Sequence, residues 1–310
     1  MKPSLHLISR LMSQPWAVHR DTLRMFTHLF LSGETPALRE REKSKTPARR
    51  IKERGDYEPL NWESDCSCGE SSLPELPEMP EGLTVLLPWG VLGRAWSEIE
   101  KWYLDPVDVD ELVEEIAETP EGSTVVLWFR SPGGVISGIP ETAAQLRALG
   151  KTRRLLAFTD DTCCSAAYWL AAQCSEIHAT PTADLGSIGV YIALYDYTEY
   201  MSNMGVSLEL FKAGSMKAMG LEGNPLSDDE AALLQAQVDE SYKAFTADVT
   251  RNRAIDDSVM QGQAFRGKGA AAANLLDGQW PSAAAYLSGR KWEDKLPAGK
   301  KPKTSPYADF

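Results

Sequence analysis

From Leu83 onward, short apolar runs alternate with stretches whose apolar residues recur every three or four positions. Thr84-Val85-Leu86-Leu87 predicts a strand that stops at Pro88 and a Trp-Gly turn. Asp108 to Glu118 predicts a helix with Val109, Leu112, Val113 and Ile116 on one face. Ser123 to Phe129 is an unbroken run rich in β-branched and aromatic residues. Such a run suits a strand buried on both faces of a parallel sheet. It ends in Arg130-Ser131-Pro132-Gly133-Gly134-Val135. A helix over Gly138 to Leu149 follows, then a strand over Leu155 to Phe158, a short polar turn, and a helix from Ala166 to Ala172. A strand over Glu176 to Ala179 comes next, then a turn and Gly186 to Ala193. Met204 to Phe211 reads as a further turn and strand. Ser227 to about Ile255 predicts a long amphipathic helix, with Ser227 as N-cap and Glu230 three positions on, a capping-box pattern. Phe265-Arg266-Gly267 and Ala270 to Asp277 predict a late turn and short helix. Repeated strand–helix units of this kind predict an α/β domain around a largely parallel sheet.

The pattern divides the chain. Residues 1–32 alternate apolar and basic positions with a break near Pro15, and predict a helical arm. Residues 33–80 carry a basic run from Arg39 to Arg54 and then an acidic, proline-bearing stretch, which predicts a flexible charged linker. The organised domain covers 81–290. The Lys- and Pro-rich tail, 291–310, is expected to be disordered. Cys66-x-Cys68 has no second pair or nearby histidine, so zinc is not expected there.

Composition narrows the classes. The chain has 310 residues, 43% hydrophobic and 25% charged, as ordinary globular proteins do. Its net charge of -12 speaks against general nucleic-acid binding. Five cysteines, two of them adjacent at Cys163 and Cys164, do not suggest a disulfide framework and favour a reducing compartment. No window approaches the roughly 20 apolar residues of a membrane span, and the start lacks a secretory pattern. A cytoplasmic location is therefore expected. Neither a metal nor a cofactor is expected.

The candidate chemistry lies at strand ends. Ser165 stands where the strand after Leu155 hands over to a helix, among small residues: Cys163, Cys164, Ala166 and Ala167. A serine there is most often a helix N-cap. It can also be a nucleophile, because unpaired N–H groups at a helix start can stabilise an oxyanion. Ser131-Pro132-Gly133-Gly134 closes the preceding buried strand, and paired glycines there form either a tight turn or a cradle of N–H groups. Both loops should leave the C-terminal edge of the sheet, where α/β proteins build their sites. Lys217 lies on a later loop. Of the histidines, His6, His19 and His28 fall in the arm, and His178 reads as a sheet residue rather than a base.

Four motifs together, SPGG at Ser131 to Gly134, SAAYWLA at Ser165 to Ala171, GSIGV at Gly186 to Val190 and FKAGSMK at Phe211 to Lys217, resemble the S49 serine peptidases. That family includes signal peptide peptidase A and the phage head-maturation proteases. The resemblance covers roughly Leu83 to Asp277 and implies a Clp protease/crotonase-like fold. It implies Ser165 as nucleophile and Lys217 as general base, with Ser187 helping to hold the lysine amine. The implied oxyanion donors are the N–H of Ala166 and that of Gly134 or Gly133, with Gly134 favoured. Many members have Gly-Gly after the serine, where this chain has Ala166-Ala167, which touches pocket shape more than mechanism. A lysine accepts a proton only when neutral, and burial favours that form. Lys217 is therefore expected to be desolvated under bound substrate, and Lys212 to be a solvated surface charge.

The reading that results is a Ser-Lys endopeptidase that takes extended protein segments and assembles as a homo-oligomer. The arm favours a phage prohead protease acting on capsid, portal or scaffold proteins in the host cytoplasm or prohead. The alternatives are a soluble signal peptide peptidase A-like enzyme, a non-catalytic assembly scaffold, and an acyl-CoA enzyme of the crotonase type.

Overall fold

A computed structural model describes residues 83–96, 106–290 and 292, with two backbone strands, Trp16–Val18 and Arg49–Ile51, ahead of them. The rest of the predicted arm, linker and tail, including Cys66-x-Cys68, lies outside the described residues. The three described residues of the arm form a strand, β1 (Trp16–Val18), rather than helix. In the linker, Arg49–Ile51 forms β2.

The domain opens with β3 (Leu83–Leu87), β4 (Leu92–Gly93) and β5 (Val107–Asp108). Helix α1 (Val109–Glu118) starts where the Asp108 carboxylate accepts from the Asp110 amide, and it buries Val109, Leu112 and Ile116. Then come β6 (Thr124–Ser131), β7 (Gly133–Val135), α2 (Ile139–Leu149) and β8 (Arg154–Cys164). Helix α3 (Ala166–Ala171) leads to β9 (Glu176–Ala179) and β10 (Asp184–Gly186). Helices α4 (Thr198–Asn203) and α5 (Asp228–Thr250) precede β11 (Ala264–Arg266), α6 (Gly267–Ala272), β12 (Gly278–Gln279) and α7 (Ala283–Gly289). The capping box at Ser227 and Glu230 is present.

The main sheet runs β11-β10-β8-β6-β3-β2, with β9 also on β8 and β12 on β9. Its inner pairings, β3 with β6, β6 with β8, and β8 with β9 and β10, are all parallel. The α/β class expected from the alternating pattern is therefore the one observed. A smaller sheet runs β1-β7-β4-β5.

Side chains of β6 alternate between two cores, as the two-residue period of a strand requires. Val125, Leu127 and Phe129 face helices α2, α3 and α5, whereas Val126 and Trp128 pack with Phe158, Tyr286 and Leu287 on the other side. The second core is closed by α7, an element the hydrophobic pattern did not announce.

Two expectations need correction. The polar turn placed after Phe158 is strand: β8 continues to Cys164. Its register with β6 shifts, so that Phe129 opposes Thr159 and Ser131 opposes Cys163. The extra residues form a bulge, which bends a strand without ending it. Asp160 in the bulge accepts from Arg130 Nε and Nη2 at 2.8 and 2.7 Å and from Trp128 Nε1 at 2.8 Å. Tertiary partners thus hold a sequence that looks like a turn. The second correction concerns Val206 to Phe211, which forms no strand. Val206, Leu208, Leu210 and Phe211 are exposed, Phe211 at 93%. Their alternating pattern is a strand's, but no neighbouring strand among the described residues pairs with it.

Candidate active site

Ser165 follows the last residue of β8 and enters α3 with φ 56° and ψ −122°. Positive φ is uncommon for a residue with a Cβ and marks backbone held by its surroundings. Two main-chain bonds hold it: the Ser165 amide donates to the Gly186 carbonyl at 2.7 Å, and the Ser165 carbonyl accepts from the Trp169 amide at 2.9 Å. Its hydroxyl makes no capping bond to the helix. The commonest use of a serine at this position is therefore absent, while the residue is 99% buried.

Helix α3 is short and wholly buried. The Tyr168 hydroxyl donates to the Leu275 carbonyl at 3.0 Å. Trp169 donates through Nε1 to Asp248 at 2.9 Å and stacks on Phe245 with ring centres 4.5 Å apart. Asp248 also accepts from Arg147 at 2.9 Å. These contacts fix the helix start, where Ala166 carries one of the N–H groups that no helical carbonyl can reach. The long sequence separations hid Asp248 from the sequence reading.

The Ser131 to Gly134 loop lies beside this turn because Ser131 and Cys163 oppose each other on β6 and β8. Gly133 has φ 108°, and its amide donates to the Ser131 hydroxyl at 3.2 Å. Gly134 pairs with Leu92 of β4, and a Cβ there would lie 1.7 Å from the Leu92 carbonyl oxygen. Only glycine fits. The Gly133 amide is thus engaged within its own segment, and Gly134 is paired on both edges of β7, with Leu92 and with Ala17.

Ser187 follows β10 as Ser165 follows β8. It has φ 51° and is buried, and its amide donates to the Gln263 carbonyl at 2.7 Å. Gly186 and Cys164 are register partners, so the two serines are brought close together.

Lys217 lies in a run of turns, its amide donating to the Gly214 carbonyl at 3.2 Å. Its side chain is exposed and has no hydrogen bond or ion pair with a described residue; none joins it to Ser165. Lys212 is exposed too, and its ammonium donates to the Ser215 carbonyl at 2.8 Å. Burial pushes the neighbouring thiols of Cys163 and Cys164 up, so neither supplies a thiolate beside Ser165. His178 sits in β9 against Glu176 at 2.9 Å and Arg290 at 2.7 Å, a structural setting. Among the described residues, no group of three or more His, Cys, Asp or Glu is placed to hold a metal ion.

Residues 147–291, which include Ser165, Ser187 and Lys217, match peptidase family S49. Over this stretch the chain is similar to the S49 peptidases. The S49 match begins after the Ser131 to Gly134 loop, which rests on the geometry alone. Capsid assembly protease C of Escherichia phage lambda is 28% identical over 168 residues, 53% of this chain and 38% of that protein. Head-tail preconnector protein GP5 of Enterobacteria phage P21 is 29% identical over 156 residues, 49% of this chain and 31% of that protein. Serine protease SPPA, chloroplastic, of Arabidopsis thaliana is 26% identical over 172 residues, 54% of this chain and 25% of that protein. The chain thus spans less than half the length of these relatives. A solved enoyl-CoA hydratase/isomerase family member covers 68% of this chain at TM-score 0.35 and 12% identity.

Proposed function

We propose that this protein is a serine endopeptidase with Ser165 as nucleophile and Lys217 as general base. The observation that carries the reading is the Ser165 turn: a buried serine at positive φ, uncapped, within the residues that match the S49 peptidases.

The steps follow from ordinary acyl-transfer chemistry. The neutral Lys217 amine takes the Ser165 proton as Oγ attacks the scissile carbonyl. The resulting oxyanion is met by the N–H groups of Ala166 and Gly134. The ammonium then gives its proton to the departing amine, and water, deprotonated by the same amine, hydrolyses the acyl-enzyme. Ser187 holds the lysine amine in place. This requires Lys217 to swing from its exposed position into the cleft, or to be covered there when substrate binds.

The setting we favour is processing of capsid, portal or scaffold proteins in phage head maturation, on the strength of the lambda and P21 relatives. The chloroplast relative supports the second reading, a signal peptide peptidase A-like enzyme. No helix among the described residues is long and apolar enough to cross a membrane. A homo-oligomer is part of the proposal: Val206, Leu208, Leu210 and Phe211 form an exposed apolar series that a second copy would cover.

Fluorophosphonate labelling tests the chemistry. The expected result is one adduct per chain, on Ser165, absent from Ser165→Ala. An unlabelled wild-type protein that hydrolyses no peptide would leave the non-catalytic scaffold as the reading. Incubation with a phage scaffold protein and, separately, with a signal peptide distinguishes the two settings by which one is cut.

A further inference from the structure

Strand β7 has a neighbour on each edge. On one side Gly134 pairs in parallel with Leu92 of β4. On the other, β1 runs antiparallel, with Trp16 opposite Val135, Ala17 opposite Gly134 and Val18 opposite Gly133. Among the described residues no strand lies beyond β1, which forms the end of the small sheet. The main chain of the N-terminal segment therefore sits against the two glycines next to the Ser165 turn.

The chemistry of that edge is general. An open strand edge offers a row of N–H and C=O groups that any extended chain can pair with, whatever its side chains. Glycines at 133 and 134 keep side chains off this stretch of β7, so an incoming backbone can approach closely. An extended peptide that presents its carbonyl to Ser165 would use the same rungs that Trp16–Val18 uses now. Strand and peptide cannot both have them.

We propose that Trp16–Val18 is a built-in competitor, occupying the strand slot that an extended polypeptide substrate must enter. The idea rests on the reading of Ser165 as nucleophile and adds a restraint to it. A segment on the same chain competes as an intramolecular ligand, at an effective concentration set by its tether, which disfavours short or weakly binding peptides. A pairing of three residues is short, so a longer chain that pairs over more rungs, or is anchored elsewhere, displaces it. Selection for long unstructured segments over short peptides follows from that difference.

The test uses the full chain. In an antiparallel ladder, of two consecutive residues one points both its main-chain groups at the partner and the other points them away. Ala17→Pro with Val18→Pro therefore removes an amide that faces β7, whichever residue carries it. Both substitutions are made in a Ser165→Ala background, and binding of fluorescein-labelled β-casein is followed by anisotropy. The expected result is a dissociation constant at least fivefold lower than in Ser165→Ala alone. Unchanged or weaker binding by a folded variant overturns the proposal, as does a failure of casein to bind either form. If the proline variant does not fold, Ala17→Gly with Val18→Gly keeps both amides, weakens the strand, and should move binding in the same direction by a smaller factor. Because no catalysis is measured, the outcome is independent of fluorophosphonate labelling of Ser165, which judges the nucleophile by itself.

Discussion

Ser165 and Ser187 each stand one residue past the same rung of the sheet, where Cys164 of β8 pairs with Gly186 of β10, and each has a positive φ. The Ser165 amide closes the arrangement by donating to the Gly186 carbonyl at 2.7 Å. Two strands that leave a parallel sheet side by side therefore deliver two hydroxyl-bearing residues to one edge, each in a backbone state normally left to glycine. Such strain persists only where surroundings impose it, and it clusters at sites with a task.

The first prediction concerns the two proposed reacting groups. Ser165→Ala and Lys217→Ala should each reduce peptide hydrolysis by at least a thousandfold while far-ultraviolet circular dichroism and melting temperature stay near wild type. Lys217 is exposed and unpaired with any described residue, so its loss should cost little stability. Near-full activity of Lys217→Ala at neutral pH would place the base elsewhere.

Gly134 should tolerate no side chain. A methyl group placed 1.7 Å from the Leu92 carbonyl oxygen must push β4 and β7 apart. Overpacking of this kind costs about 1–3 kcal/mol, and here backbone rather than a flexible side chain has to move. Gly134→Ala is expected to lower the melting temperature by several degrees and to remove hydrolysis. Gly269→Ala, where a Cβ meets nothing within 4 Å, is the control and should change neither.

Stability should fall on acidification in two stages. Burial lowers the His178 imidazole from its ordinary value of 6.5, so below about pH 6.5 the unfolded chain binds the proton more readily than the folded one. Burial by itself would raise the Glu176 carboxyl, but hydrogen bonds from His178, Arg290 and Arg154 outweigh it and bring the group down to about 2. A depressed carboxylate stabilises the fold above its unfolded value and loses that contribution as pH drops from about 4.5 towards 2. Urea midpoints measured at pH 7, 5.5 and 3.5 should decrease in that order. Glu176→Gln should be less stable than wild type at pH 7 and should show a shallower decline below pH 4.5.

The exposed series from Val206 to Phe211 should be covered in solution. Light scattering at working concentration is expected to give a multiple of the monomer mass, and Phe211→Asp with Leu208→Asp to shift it towards one chain. A wild-type protein that stays monomeric would dispose of the proposed oligomer.

The sequence was most informative where one residue type has one physical use. The capping box at Ser227 and Glu230 and the double-faced run from Thr124 to Phe129 behave as their local chemistry dictates, whereas the two glycines after Pro132, expected as a tight turn or a cradle, lie in strand β7. It misled where distant partners decide. Asp160 to Thr162 reads as a turn, yet the strand continues, because Arg130 and Trp128 hold Asp160 from the neighbouring strand. Val206 to Phe211 carries a strand's alternation without the edge that would make it one. At the site, Ser165, Ser187 and the glycine loop were legible as strand ends. Asp248, which secures the helix behind Ser165 through Trp169, was not, since nothing near either residue announces a bond across the domain.

The back of the main sheet has a consequence for watching this protein at work. Trp89, Trp128, Trp280 and Trp292 all pack on the core that α7 closes, away from Ser165, while Trp169 lies directly behind the nucleophile. Four of the nine tryptophans therefore monitor the integrity of the rear layer and stay silent about occupancy of the cleft. Replacing the eight other tryptophans, Trp16, Trp62, Trp89, Trp96, Trp102, Trp128, Trp280 and Trp292, by phenylalanine would leave Trp169 as the single indole and turn an ordinary fluorimeter into a gauge of what happens at Ser165.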